Sequence, residues 1–355
     1  MTKAVFKKHR YVNLEAPDVR LFAEQDPRGF LETYPGNVII DEIQYVPGLM
    51  SYIQTLVDDE KKMGRFILTG SSQFALHQQL TQSLAGRVAL FTLLPFSLSE
   101  IDQHTKTKNL NATMFQGFYP PIFDRKIPPN DFYSDYLQTY IEKDVRNIVN
   151  VTNLTTFQRF LQLCAGRTGQ LLNQVSLAND VGISNQTVRN WLSILSASFV
   201  LYEHRPYFNN FSKRLIKSPK LYFYDVGVLC FLLGIKSADQ LMTHPLRGSV
   251  FENLIINECL KHRLNNHERP ELYFFRDSNG TEIDLIFEHK NTLRGIEIKA
   301  GMTFQNDFLK SLKTWQTFDS QQMIKKSFLI YGGDTNQTRS DATVLSWRDL
   351  LGVFE

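Results

Sequence analysis

The sequence predicts an α/β protein in three successive parts, and three observations carry that expectation. Strand and helix patterns alternate from Tyr11 to about Glu100. A helix-turn-helix outline with two aromatic-rich strands follows between 158 and 235, and a helix, three short strands, a helix and a further strand fill 245 to 355. Strands that alternate with helices imply a parallel sheet with helices packed over its faces.

The first part runs strand "KHRYVNL", a helix through "VRLFAEQDPRGFLE", strand "NVIID", helix "LMSYIQTLVDDEKK" and strand "RFILTGSS". Leu49, Ile53 and Leu56 recur at i, i+4 and i+7, so one side of that second helix is buried. After "LLPFSLSE" the strands stop: a polar, Pro-bearing stretch, "GFYPPIFDRKIPPNDF", leads into the amphipathic helix "YSDYLQTYIEKDVRNIV", expected as a connector or lid. In the middle part Gly182 marks a tight turn and Ser184 a helix N-cap, and Val188, Trp191, Leu192 and Leu195 face inward. "FVLYEHRPYFNNFSKRLIKSPKLYFYD" then gives two strands around a basic loop, the outline of a wing. The last part opens with the helix "GSVFENLIINECLKHRL" and closes with a helix around Phe304 to Phe318 and the strand "KSFLIYG".

Composition narrows the function classes. The 355 residues are 43% hydrophobic and 21% charged, enough to bury real cores. A balance of 39 Lys and Arg against 36 Asp and Glu leaves +3, so a nucleic-acid partner has to be argued from local clusters. Three cysteines without CxxC spacing support neither a disulfide framework nor a zinc site, and a reducing cytoplasm is expected. No apolar run approaches the ~18 to 20 residues of a membrane span, and "MTKAVFKKHR" has no apolar core behind it, so neither membrane nor export is expected.

Val38, Ile39 and Ile40 run straight into Asp41 and Glu42. A buried strand ending in two carboxylates can supply two roles in phosphate hydrolysis: the Asp holds magnesium and the Glu polarises the attacking water. Thr69, Ser71 and Ser72 would end the neighbouring strand, where a hydroxyl can sense a terminal phosphate. The alternative is a strand terminus followed by a helix cap. The run from "NVIIDEIQYVP" through "RFILTGSSQFAL" to "QSLAGRVALFTLLPFSLSE", with the later "YLQTYIEKDV", resembles the prokaryotic AAA+-type ATPases that carry a C-terminal domain of unknown function. That resemblance implies ATP and magnesium as cofactors, with Asp41 and Glu42 as the Walker B pair and Thr69, Ser71 and Ser72 at sensor 1. It makes Arg87 of "LAGR" a phosphate-contacting or inter-subunit arginine, and a homo-oligomer an expected partner; an arginine tied to a carboxylate of its own domain is the other reading. The family begins with a glycine-rich G-x-x-x-x-G-K-[ST] loop whose amides and lysine cradle phosphates, and no such motif occurs in these 355 residues. The chain starts at about the second strand of that fold, which exposes a central sheet edge. Either the true start lies upstream or the region is an ATPase remnant, and little or no ATP binding is expected.

The exposed side of the second middle helix, with Asn185, Gln186, Arg189 and Asn190, is placed to enter a major groove, and Lys213, Arg214, Lys217 and Lys220 are placed to neutralise phosphates. Duplex DNA is therefore an expected partner. Such winged folds also serve as packing or dimer modules, and Trp191 is expected in the core.

The last part holds the sharpest chemistry, "FFRDSNGTEIDLIFEHKNTLRGIEIKAG". Turns at "DSNG" and "EHKN" separate three strands, so Asp284 lies in the middle one and Glu297 with Lys299 in the third. Alternation puts Glu297 and Lys299 on one face and buries Ile296 and Ile298 on the other. With Glu252 from the preceding helix, three acids converge on one lysine, as metal-assisted phosphodiester hydrolysis requires: Glu252, Asp284 and Glu297 to hold magnesium, Lys299 to orient the water. The spacing resembles the PD-(D/E)xK nuclease core over about the last 110 residues. The plainer reading is an ion-pair ladder on an exposed strand face. Glu282 and Arg276 are either supporting neighbours or solvated strand residues.

The expected architecture is therefore α/β: a partial P-loop-type parallel sheet (1–105), a helical connector or lid (106–157), a winged helix-turn-helix (158–240) and a nuclease-like α/β domain (241–355). Three functions fit it: an ATP-driven module coupled to DNA, a magnesium-dependent nuclease or nucleic-acid-binding protein, and a non-enzymatic regulatory protein.

Overall fold

Three short strands, β1 (Arg10–Asn13), β2 (Val38–Asp41) and β3 (Phe66–Leu68), pair in parallel in the order β1-β2-β3. Val38, Ile39 and Ile40 of the central strand are fully buried, as β-branched residues are when both faces of a parallel sheet are covered. The computed structural model describes residues 1–60, 62–70, 84, 86–103, 109–141, 154–207, 216–318 and 324–355, in two units, Met1–Leu90 and Phe91–Glu355. Each is mixed or parallel α/β.

In the first unit the single helix expected over residues 19 to 32 is two, α1 (Pro17–Gln25) and α2 (Pro27–Thr33). The break has a local cause: Pro27 has no N–H to continue α1 and pushes Asp26 out of the helical region, to φ −136° and ψ 75°. Asp26 then caps α2 by accepting a hydrogen bond from the Gly29 amide at 3.0 Å. Helix α3 (Leu49–Glu60) buries Leu49 and Ile53 against this core, with Leu56 packed at its edge.

The second unit is organised by a mixed sheet of eight strands among the described residues. Its strands are β4 (Leu201–Pro206), β5 (Lys220–Phe223), β6 (Tyr273–Arg276), β7 (Glu282–His289), β8 (Thr292–Lys299), β9 (Ile324–Tyr331), β10 (Gln337–Thr338) and β11 (Thr343–Ser346). Their order is β10-β11-β9-β8-β7-β6-β4-β5. A two-residue turn at Lys290 and Asn291, both at positive φ, joins β7 to β8, the type I′ geometry whose twist matches a hairpin. Helix α6 (Arg247–Asn265) and the helical segment Trp347–Phe354 cover one face, where Ile296, Ile298, Phe328 and Ile330 join the large core. Helix α7 (Lys310–Gln316) covers the other, where Leu293 and Leu329 pack with Leu312 and Trp315. β8 is thus covered on both sides, and Glu297 is 4% exposed, which the plainer reading of an ion-pair ladder on an exposed face does not allow.

The helix pair lies where the sequence places it. Helix α4 (Gln174–Val181) ends at Gly182, whose φ of 83° suits glycine, and Ser184 caps α5 (Asn185–Ala197) by accepting from the Thr187 amide at 3.0 Å. Val188, Trp191, Leu192 and Leu195 are buried, and the Trp191 ring packs edge-on against Phe157 and Phe160. The hairpin β4–β5 follows as expected, but β4 also pairs in parallel with β6 through Arg205 and Pro206, so the hairpin forms one end of the large sheet. The Pro-bearing stretch expected as polar contributes to the core, and residues 142–149 of the amphipathic helix expected after it lie outside the described residues. Pro120 and Pro129 open short helices, and Phe118, Ile122 and Tyr133 enter the large core.

Candidate functional site

Two clusters of ionisable residues arise at strand ends, one in each unit. In the first, β2 ends at Asp41, between β1 and β3. Tyr11 of β1 donates its hydroxyl to Asp41 Oδ2 at 2.6 Å, and Thr69, just past β3, donates to Oδ1. Burial is the largest single influence on Asp41 and opposes its charge. The hydrogen bonds from Thr69, Tyr11 and the Glu42 amide, with the Lys3 charge, outweigh it and hold the carboxyl below its ordinary value. The bond to Asp41 in turn pushes the Tyr11 hydroxyl up to about 12. Glu42 has φ 56° and ψ 44°, a left-handed conformation that costs a non-glycine residue roughly 1 kcal/mol and is over-represented at functional sites. Its carboxylate accepts from the Gln44 side-chain Nε2. An ionised aspartate beside a threonine hydroxyl is a donor set that suits a hydrated magnesium ion. The phosphate cradle is a different matter, since no glycine-rich loop with its lysine stands anywhere in these 355 residues.

In the second unit Glu252 projects from α6, Asp284 from β7, and Glu297 and Lys299 from the end of β8. They do come together. Lys299 Nζ lies 2.5 Å from Glu297 Oε1 and 4.0 Å from Asp284 Oδ2, and that same Oδ2 accepts from the Ile298 amide at 2.8 Å. Lys220 of β5 adds a second ammonium, with Nζ 3.0 Å from Glu252 Oε1, 2.5 Å from Glu282 Oε1 and 4.0 Å from Asp284 Oδ1. Tyr222, two residues on along the strand, donates to Glu252 Oε1 as well, and Arg276 holds the other oxygen of Glu282 at 2.8 Å.

Burial, then the neighbouring Asp284 charge, raises Glu252 to about 7 and Glu297 to about 8, against the pull of the two lysines. Lys299 is raised: burial, its largest influence, opposes the charge, but Asp284 and Glu297 together prevail. Lys220 is raised in the same way by Glu252, Asp284 and Glu282. As arranged, the acids do not fit a magnesium ion. Three carboxylates turn an oxygen toward the Lys220 ammonium, and among the described residues no group of three or more His, Cys, Asp or Glu side chains is spaced to hold a metal. Nor is this a ladder on an exposed strand face, because Glu297 and Asp284 are buried.

Comparison with known proteins bears on the first cluster. Residues 1–102 match a family described as AAA domain. The amino-terminal region is AAA-like. Residues 107–239 and 247–350 match two domains of unknown function (DUF8612 and DUF4143), and together the matches support an AAA-type ATPase-like family that carries a domain of unknown function. An uncharacterized protein of Mycobacterium tuberculosis is 28% identical over 304 residues, covering 83% of this chain and 67% of its own length. An uncharacterized protein of Haemophilus influenzae is 22% identical over 237 residues, covering 63% and 57%. A Vibrio cholerae protein of known crystal structure aligns over 97% of this chain and 95% of its own at 14% identity, with a TM-score of 0.23. Among the described residues no helix is long and apolar enough to cross a membrane.

The remaining expected site residues fall as follows. In the AAA-like region Arg87 Nε lies 2.5 Å from Asp58 Oδ1, a carboxylate of its own unit on α3. Ser71, Lys213 and Arg214 lie outside the described residues. On α5 Gln186, Arg189 and Asn190 are exposed while Asn185 is half-buried; Gln186 donates to Asn190 and Arg189 to Gln174. Lys217 is exposed, but Lys220, expected in the same basic patch, is 2% exposed and belongs to the acid cluster. Sequence reasoning missed Lys220 and Tyr222 there. Their spacing of two in a short strand, which turns both toward Glu252, was the available signal.

Proposed function

We propose that this is an AAA-type ATPase-like protein whose Met1–Leu90 unit keeps the carboxylate end of a nucleotide site, and whose Phe91–Glu355 unit contacts duplex DNA. The observation that carries the first half is Asp41, kept ionised at the carboxyl end of the central parallel strand by Tyr11 and Thr69, with Glu42 beside it. In this reading Asp41 and Glu42 are a Walker B pair, Asp41 would hold magnesium and Thr69 would sense a phosphate. Bound magnesium would supply charge neutralisation at phosphate oxygens.

The same reading expects the 355-residue chain to bind ATP very weakly, because the backbone amides and lysine that make most phosphate contacts in such proteins are not in its sequence. Titrating MgATP into the chain in a calorimeter should give no saturable heat. A micromolar dissociation constant would refute the weak-binding claim, and loss of that binding in Asp41→Asn would show a working nucleotide site at Asp41.

DNA contact rests on the exposed polar side of α5 and on the basic run Lys213, Arg214 and Lys217. Fluorescence anisotropy with a labelled duplex should show binding that weakens as salt is raised. Lys213→Glu combined with Arg214→Glu should lower the slope of log K against log salt by about 2, with roughly tenfold or greater loss at moderate salt. Unchanged binding in the double variant would remove the basic run from the interface. Magnesium-dependent nicking of that duplex, abolished in Lys299→Ala, is the result that would favour the nuclease reading instead.

A further inference from the structure

The second cluster is built around Lys220, and the lysine's position is what a metal reading of these acids leaves out. Its ammonium is a compact point charge that faces Glu252 Oε1, Glu282 Oε1 and Asp284 Oδ1. Three carboxylate oxygens from a helix and a strand around one charge resemble the surroundings of a hard divalent cation, with two at N–H···O distance and Asp284 Oδ1 farther out at 4.0 Å. The lysine is buried, at 2% exposure. Most other acceptors are also engaged: Asp284 Oδ2 by the Ile298 amide, Glu297 Oε1 by Lys299, Glu282 Oε2 by Arg276.

The charges nearly close without any metal. Glu252, Glu282, Asp284 and Glu297 could carry four negative charges, and Lys220, Lys299 and Arg276 carry three positive ones. One proton kept among the acids balances the set. A divalent ion added to it would bring excess positive charge into a buried site, at a large desolvation cost.

We propose that Lys220 is the resident cation of this cluster, occupying the place of a divalent metal, so that Glu252, Glu282 and Asp284 are held together without one. The proposal is independent of the nucleotide reading of the other unit. It also gives the hairpin a role: β5 delivers the positive charge that lets the acids of α6 and β7 be buried.

Manganese is the probe, followed by electron paramagnetic resonance on the full chain. Wild type should show no manganese binding that depends on Asp284. Lys220→Met, which keeps the apolar stem and removes the charge, should acquire one manganese site, bound at least about tenfold more tightly than anything Asp284-dependent in wild type. Adding Asp284→Asn should abolish it, and Lys220→Arg, which keeps a cation, should not acquire it. Asp284-dependent manganese binding by wild type overturns the proposal, as does a folded Lys220→Met chain that binds none. Should Lys220→Met not fold, thermal unfolding of wild type with and without manganese decides: an Asp284-dependent rise in Tm overturns the proposal, and an unchanged Tm upholds it.

Discussion

Replacing Asp225 by alanine is expected to destabilise the Phe91–Glu355 unit by about 3 to 5 kcal/mol, more than any other single change considered for this protein. Asp225 is 2% exposed and caps the helix Val226–Leu232. One of its oxygens accepts from the amides of Gly227 at 2.8 Å and Val228 at 3.0 Å and from the Tyr133 hydroxyl at 2.9 Å; the other accepts from the Phe118 amide at 2.8 Å. Alanine would leave three buried amides without an acceptor, each worth about 1 to 3 kcal/mol before relaxation, two of them the N-cap bonds of that helix, while the Tyr133 hydroxyl keeps the Gln116 carbonyl at 2.9 Å. Burial, the largest influence, raises the Asp225 carboxyl, while Lys261, the Val228 and Phe118 amides and the Tyr133 hydroxyl pull the other way. Trp191, Trp315 and Trp347 are the three tryptophans of the chain and all lie in this unit. Tryptophan fluorescence therefore follows it alone, and Tm should fall by roughly 6 to 15 °C. A fall of only a degree or two would mean that water or a shifted neighbour satisfies those donors.

The second large effect is on the pH dependence of stability. Glu297 is buried, its Oε2 has no hydrogen-bond partner among the described residues, and its carboxyl is raised from 4.5 to about 8. The folded chain therefore holds a proton that the unfolded chain releases between those values, so stability falls as pH rises. The contribution is fully present below about 4.5 and lost as pH passes through about 8. Glu297→Gln keeps the shape and an acceptor for Lys299 but has no proton to lose. Denaturant unfolding at a series of pH values from 5 to 8 should show wild type losing on the order of 2 kcal/mol relative to the glutamine variant. Glu252, raised to about 7, acts in the same direction, so a residual slope should remain in the variant. Parallel profiles for the two chains would show that Glu297 is already ionised at pH 5.

Much of this architecture was legible because its causes are local. Branched apolar residues from Val38 to Ile40, the i, i+4, i+7 spacing after Leu49, Gly182 with Ser184, and the turns around Asp277 and Lys290 each mark an element within a few residues. Where local signals competed, the boundary was missed: Asp26 and Pro27 divide what the apolar pattern alone reads as one helix. The burial of Phe118, Ile122 and Tyr133 was hidden because prolines suggest loops, although proline also opens helices.

The candidate sites divide the same way. Asp41 and Glu42 could be placed from their own strand, and Asp284, Glu297 and Lys299 from a hairpin with clear turns. Lys220 was harder to place, because its partners Glu252, Glu282 and Asp284 stand 32 to 64 residues away in the chain and its sequence context groups it with Lys213, Arg214 and Lys217. Nor does the strand pattern of β8 reveal that Trp315 lies over Gly295, where a Cβ would come within 2.1 Å of the ring, and that a helix therefore covers that side.

Only Ser198, Phe199 and Val200 separate the end of α5 from β4, and β4 is hydrogen-bonded to β5 on one side and β6 on the other. The helix whose exposed side is proposed to contact DNA is thus a lever mounted on a plate by a three-residue link. A load that tilts α5 is borne by the same strands that carry Lys220 and, through β6 and β7, Glu282 and Asp284. A grip on a duplex would be felt as torsion at the ion cluster.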